Sequence, residues 1–111
     1  MANICDNKFY FACKSNFQEY VKKFNNDKIE GEFEIVGEDS DGGGCLEGYI
    51  DSNWTFPREI MEEILPDKEE DPDECYFRCL SEEYGCGYVA MNIYSDGHWR
   101  SEQCFDLWVE Y

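Results

Sequence analysis

The residues able to do chemistry are one histidine, seven cysteines and 26 aspartates and glutamates. The histidine, His98, stands in SDGHWR, directly after an Asp-Gly turn. A catalytic triad needs a histidine oriented between a nucleophile and a carboxylate. A hairpin tip offers His98 no such support, so no catalytic residue is assigned.

The cysteines are Cys5, Cys13, Cys45, Cys75, Cys79, Cys86 and Cys104. Their number is odd, no C-x-x-C pair occurs, and no secretory segment precedes them. A disulfide framework needs an oxidising compartment, so free thiols, several of them buried, are expected. Cys75 and Cys79 are spaced loosely like a zinc pair. On a strand, however, they share one face and flank Phe77, which is the pattern of small buried hydrophobes. No metal and no cofactor is assigned. In GEDSDGG, the carboxylates of Glu38, Asp39 and Asp41 precede glycine. An EF-hand loop ends on a glutamate at its twelfth position. Counted from Asp39 that position is Ile50, so the stretch reads as an acidic turn.

The acids themselves are left. Glu30, Glu32 and Glu34 alternate along a strand, about 6.7 Å apart at a rise of about 3.3–3.4 Å per residue. DNA phosphates rise about 3.4 Å per step on one strand. A row of strand carboxylates therefore tracks alternate phosphate levels. A second acidic segment is the turn with Glu38, Asp39 and Asp41. The third is PDKEEDPDE, residues 66 to 74, with Asp67, Glu69, Glu70, Asp71, Asp73 and Glu74. Joined on one surface, the three would suit the basic groove of a nucleic-acid-handling protein. Scattered, they are ordinary solubilising charge.

The totals bound the partners. At 111 residues the chain is expected to be one domain, 1–111. Its 42% hydrophobic and 17% aromatic content is too apolar for a disordered acidic tail. A net charge of −17 repels nucleic acid and anionic membranes and steers the protein toward basic surfaces. The start, MANICDNKFYF, has no basic leader and no long apolar run, so a cytoplasmic protein is expected.

Elements must position these acids. KFYFACK alternates, with Phe9, Phe11 and Cys13 on one side and Tyr10 on the other. In SNFQEYVKKFNN, Phe17, Tyr20, Val21 and Phe24 have helical spacing, and Ser15 with Gln18 reads as a capping box. KIEGEFEIVGED alternates with Phe33 and Ile35 inward. CLEGYIDSNW places Leu46 and Ile50 opposite Tyr49. FPREIMEEILP predicts a short helix between Pro57 and Pro66, with an Ile60, Met61, Ile64, Leu65 stripe. CYFRCLS sets Cys75, Phe77 and Cys79 against Tyr76, Arg78 and Leu80. The remainder predicts a hairpin with Val89, Met91 and Ile93 inward, a turn at Ser95-Asp96-Gly97, and an inward set of Phe105, Leu107 and Val109.

The order β-α-β-β-α-β plus added strands predicts an α+β fold. It is a ferredoxin-like βαββαβ sandwich, an antiparallel sheet with two helices on one face and extra C-terminal strands. The other face would carry Tyr10, Tyr49, Tyr76 and Tyr88. Such a face could stack RNA bases, but the negative field argues for protein contact, for which tyrosine is well suited.

Three stretches, MANICDN, GYIDSNWTFP and EEYGCGYVAMNIYSDGHW, resemble the YubB-type ferredoxin-like family of small phage and plasmid proteins. In that family a Trp precedes the second helix, and two strands carry a glutamate-glycine element and a late Asp-Gly turn. Trp54, Glu83, Gly85, Gly87, Asp96 and Gly97 occupy those places. The resemblance implies a mobile-element origin and a fold, and no established chemistry.

The combined expectation is a small, non-enzymatic phage-like inhibitor of a basic nucleic-acid-binding defence protein, such as a CRISPR effector or a restriction enzyme. The acids would steer association and occlude the nucleic-acid path, while Tyr49, Trp54 and Trp99 would supply contact area. The alternative expectation is a structural or regulatory phage protein that assembles, with itself or another protein, through its sheet. A metal- or thiol-dependent enzyme is the third.

Overall fold

The computed structural model describes residues 4–83, 85 and 87–103, with the backbone alone at 102 and 103. Strand and helix follow the periodicities above. In chain order they are β1 (Ile4–Cys13), α1 (Phe17–Phe24), β2 (Glu30–Glu38), β3 (Gly44–Asn53), α2 (Arg58–Ile64), β4 (Tyr76–Glu83), β5 (Tyr88–Ser95) and β6 (His98–Gln103). The strands form one sheet in the order β2-β3-β1-β4-β5-β6, and every neighbouring pair is antiparallel. An α+β fold of a six-stranded antiparallel sheet and two helices is compatible with the expected ferredoxin-like sandwich. No described helix is long and apolar enough to cross a membrane.

Both helices pack on one side of the sheet. Phe17, Tyr20 and Phe24 of α1 and Met61 and Ile64 of α2 join Phe9, Phe11, Leu46, Ile50 and Phe77 in a single buried cluster. Its centre is a stack of rings. Phe9 lies 5.5 Å from Phe24 and 5.7 Å from Phe77, and Phe24 lies 6.2 Å from Phe77. Helical and strand spacing converge here because each element carries an apolar stripe, aromatic on β1 and α1, that water disfavours.

Four connections meet at one end of the sheet. Cys13 ends β1 opposite Gly44, Ala12 pairs with Tyr76, and Phe77 pairs with Tyr94. The β1–α1 loop, the β2–β3 turn, the α2–β4 loop and the β5–β6 turn are therefore neighbours. The last is a two-residue turn with Asp96 at φ 54° and Gly97 at φ 82°, as Asp-Gly predicts. A side chain on Gly97 would collide with the Lys68 carbonyl. The Lys68 N–H donates to the Gly97 carbonyl at 2.8 Å, which seats the acidic loop against this turn.

Several expectations change. The capping box does not form. Asn16, in the left-handed region, is the cap residue of α1, with no side-chain bond to the helix backbone. Ser15 instead donates to Asp73, and Gln18 donates to Glu38. The parity of β5 is reversed. Ala90, Asn92 and Tyr94 are buried opposite Ser81, Cys79 and Phe77, so Val89, Met91 and Ile93 lie on the helix-free face. Both faces of that strand read as apolar, and the pairing register decides between them. Tyr94 reaches into the core and donates to the Pro66 carbonyl at 2.9 Å. Asn92 accepts from Arg58 at 3.0 Å, which lets an amide be buried. Tyr88 consequently lies on the helix side, opposite Glu83. Ile35, expected inward, is exposed because β2 is the sheet edge. Phe105, Leu107 and Val109 lie outside the described residues.

Candidate functional site

The helix-free face is built from alternate residues of the strands. On β2 these are Glu30, Glu32 and Glu34. Across the β3 pairing, Glu30 faces Asp51, Glu32 faces Tyr49 and Glu34 faces Glu47. Carboxylates stand directly opposite carboxylates in two of the three pairs. Among the described residues, none of these five acids forms an ion pair. Tyr49 bonds Glu32, and the carboxylates of Glu32 and Asp51 push its phenol pKa up. Glu47 and Asp51 escaped the sequence reading. Their shared parity with Tyr49 in CLEGYID was the available signal.

Beyond Glu34 the irregularity between Ile35 and Gly37 breaks the alternation, and Glu38, paired with Gly44, accepts from Gln18 of α1 on the helix side. Asp39 is partly inward in function. Its Oδ1 accepts the N–H groups of Asp41 at 2.9 Å and Gly43 at 3.0 Å, which closes the turn. Asp41 is exposed. On the far side of the β1–α1 loop lie Glu69, Glu70 and Glu74, all exposed, with Glu74 3.3 Å from Lys14. Asp67 lies 3.7 Å from His98 and accepts the Trp99 N–H at 3.2 Å. The three segments therefore occupy different places: Glu30, Glu32 and Glu34 on the helix-free side of β2, Glu38 on the helix side beside Gln18, and the acids of the α2–β4 loop at the end of the sheet.

Two acids assigned to a partner prove to be internal. Asp73 is a clasp. Its Oδ1 accepts from Ser15 at 2.7 Å and Asn16 at 2.8 Å, its Oδ2 accepts from Tyr20 at 2.7 Å, and its main-chain carbonyl accepts the Lys14 N–H at 2.8 Å. Asp71 has a side chain only 3% exposed. Its Oδ2 accepts the Cys75 N–H at 2.7 Å. Its Oδ1 makes no hydrogen bond but faces the Lys68 ammonium at 3.5 Å. Asp71, Asp73 and Cys75 bring three ligand-type atoms within 4.8 Å. Each carboxylate is already engaged by protein donors, and burial pushes the Cys75 thiol up to about 12. The cluster holds the acidic loop onto the β1–α1 loop.

The tryptophans separate. Trp54 is exposed, at φ 68°, after β3. Trp99 is half-buried. It packs edge-on against Phe77 at 5.5 Å and Tyr94 at 5.3 Å, and its ring N–H donates to the Leu65 carbonyl at 2.7 Å. Trp99 therefore belongs to the core and not to a contact surface. Tyr10 and Tyr76 do occupy the helix-free face, as expected, and Arg78 lies over both, 4.8 Å and 6.0 Å from their ring centres. That guanidinium stack draws one of the few basic groups into a cation–π contact.

Of the family-like residues, Glu83 is buried and accepts the Gly85 N–H at 2.7 Å, closing the turn after β4. The five described cysteines form no disulfide with one another, and four are buried. Burial pushes the thiol of Cys13 up to about 11 and that of Cys79 up to about 12. Nucleophilic thiolate is therefore scarce at neutral pH. Treatment of native protein with a thiol reagent at pH 8 should leave Cys13, Cys75 and Cys79 unmodified until denaturant is added, as read by mass spectrometry of peptides. Fast native labelling of any of the three would instead mark a reactive thiol. No protein-family model, curated protein or solved structure matches the chain.

Proposed function

We propose that this is a non-enzymatic docking protein whose acidic edge and rim occupy a basic groove of a nucleic-acid-handling protein. The observation that carries the reading is that two acids stand directly opposite two others across the strand pair, Glu34 to Glu47 and Glu30 to Asp51, with no ion pair at any of the four among the described residues. Like charges directly opposite each other destabilise a strand pair. A fold that retains two such pairs keeps a cost that a cationic partner would relieve. Inhibition of a CRISPR effector or a restriction enzyme by occlusion of its nucleic-acid path is the activity this surface suits. Kinship with the YubB-type family, the finer ferredoxin-like topology and a mobile-element origin belong to the same proposal.

The double variant Glu34→Gln and Glu47→Gln tests it in two directions. The free protein should gain about 0.2–1 kcal/mol of stability as repulsion is removed. Its affinity for a basic nuclease should fall, and the wild-type complex should weaken steeply between low and high salt. A complex whose affinity is flat across that salt range would exclude docking by charge.

A second reading has its own support. Leu80, Met91 and Ile93 share the helix-free face with Tyr10 and Tyr76, and all are partly exposed. This apolar patch would serve self-assembly through the sheet, and light scattering showing a stable homo-oligomer would favour it.

A further inference from the structure

Strand β2 is nine residues long and lies at the edge of the sheet. Among the described residues it pairs with β3 alone. An edge strand presents unpaired backbone donors and acceptors to any segment that can lie beside it. Natural edges are commonly blunted by charge, by a bulge or by brevity. Here the one irregularity, between Ile35 and Gly37, is confined to the end near the turn. The stretch from Glu30 to Ile35 is regular.

The two faces of that stretch differ. Glu30, Glu32 and Glu34 point to the helix-free side, and Phe33 and Ile35 point to the other, where Ile35 is 45% exposed. Val36 beside it is 47% exposed. A strand added here places its alternate side chains against these two sets in turn. One set meets three carboxylates and the other meets apolar surface. A shallow cleft of about 740 Å³ opens here, lined by Glu32, Glu34, Glu47 and Tyr49 together with Lys8 and the rings of Phe9 and Phe33, so three carboxylates outnumber its one ammonium. It gives long cationic side chains a place to extend across β2. A second copy of this chain is a poor occupant. Antiparallel pairing of two β2 strands about a two-fold axis sets glutamate against glutamate.

We propose that the free edge of β2 accepts an extended segment of the partner protein in which basic and apolar residues alternate, adding a seventh strand to the sheet. The inference rests on the reading of this protein as a docker of basic proteins, and it names how the basic partner is gripped. Backbone hydrogen bonds supply affinity, and the alternating pattern supplies selectivity. The negative edge also repels self-pairing, so the same glutamates that guard the free protein recruit the partner.

The test uses the full-length protein and three capped eight-residue probes of equal charge. The first alternates lysine and valine. The second has the same composition in two blocks. The third is the alternating peptide with N-methyl groups on every second backbone nitrogen, prepared in both phases. Binding is followed by fluorescence anisotropy at low and moderate salt, and the bound peptide's carbon-13-shifted amide I band reports strand formation. The alternating peptide should bind at least tenfold more tightly than the blocked one. One phase of N-methylation should abolish the difference while the other spares it. The triple variant Glu30→Gln, Glu32→Gln and Glu34→Gln should lose most of the binding and remain folded by circular dichroism. Equal, salt-sensitive binding of all probes would overturn strand addition and leave docking by charge standing. Binding of no cationic probe at low salt would overturn both.

Discussion

Replacement of Phe77 by alanine should cost about 3–5 kcal/mol of folding stability. Phe77 is fully buried at the start of β4. Its ring centre lies 5.7 Å from Phe9, 6.2 Å from Phe24, 6.4 Å from Phe56 and 5.5 Å from Trp99. These partners come from β1, α1, the segment before α2, and β6. No single neighbour can collapse into the space without leaving the others, so the cavity persists and its cost adds to the lost transfer energy. Urea unfolding should show a lowered midpoint with little change of slope. Phe33→Ala provides the contrast. Phe33 is half-buried near the edge and makes one ring contact, with Phe24 at 6.5 Å. Its loss should be clearly smaller. Equal losses at the two sites would mean that the ring cluster is not the centre of the fold.

Removal of the Asp73 side chain should be the largest polar effect. Its charged carboxylate accepts three side-chain hydrogen bonds, from Ser15, Asn16 and Tyr20. Bonds to charged groups contribute about 1.5–3 kcal/mol each and are not additive. Asp73→Ala should therefore lose about 2–4 kcal/mol. The loss is also pH-dependent. Burial raises the Asp73 pKa, but the bonds from Ser15, Tyr20 and Asn16 outweigh it and hold the carboxyl below its ordinary value of 3.8. A carboxyl depressed in the folded state stabilises that state fully above its unfolded pKa, and the benefit disappears as pH falls through the folded one. The gap between wild type and Asp73→Ala should thus be constant from pH 7 to about 5 and should shrink below about 4. Urea midpoints at pH 7, 5 and 3 measure it. A gap that stays constant down to pH 3 would show that the clasp does not depend on charge.

The clasp explains why the acidic loop is not a passive linker. Lys14 and Ser15 are tied to Asp73, Cys75 is tied to Asp71, and Lys68 is tied to Gly97. Glu69 and Glu70 are thereby held at the rim beside the β5–β6 turn. Acids bound inward fix the position of acids that face outward.

Local order determined much of this protein. Period-two alternation identified the strands, and the 3.6-residue stripe of Phe17, Tyr20 and Phe24 identified α1, because burying an apolar face admits few backbone geometries. Asp96-Gly97 specified its turn through positive φ. The alternation of Glu30, Glu32 and Glu34 put them on one side of one strand before any neighbour was known. Tertiary structure alone decided the rest. The direction of β5 depended on its register with β4, since either face was apolar enough to be buried. The inward role of Asp71 and Asp73 depended on which loops met at the end of the sheet. So did the opposition of Glu34 to Glu47 and Glu30 to Asp51. The burial of Asn7 and Ser81, joined by a 2.6 Å hydrogen bond across 74 residues of sequence, was equally invisible. A side chain's type sets which partners it can satisfy. Which partner arrives is a property of strand order and register, and these are fixed by contacts distant in the chain.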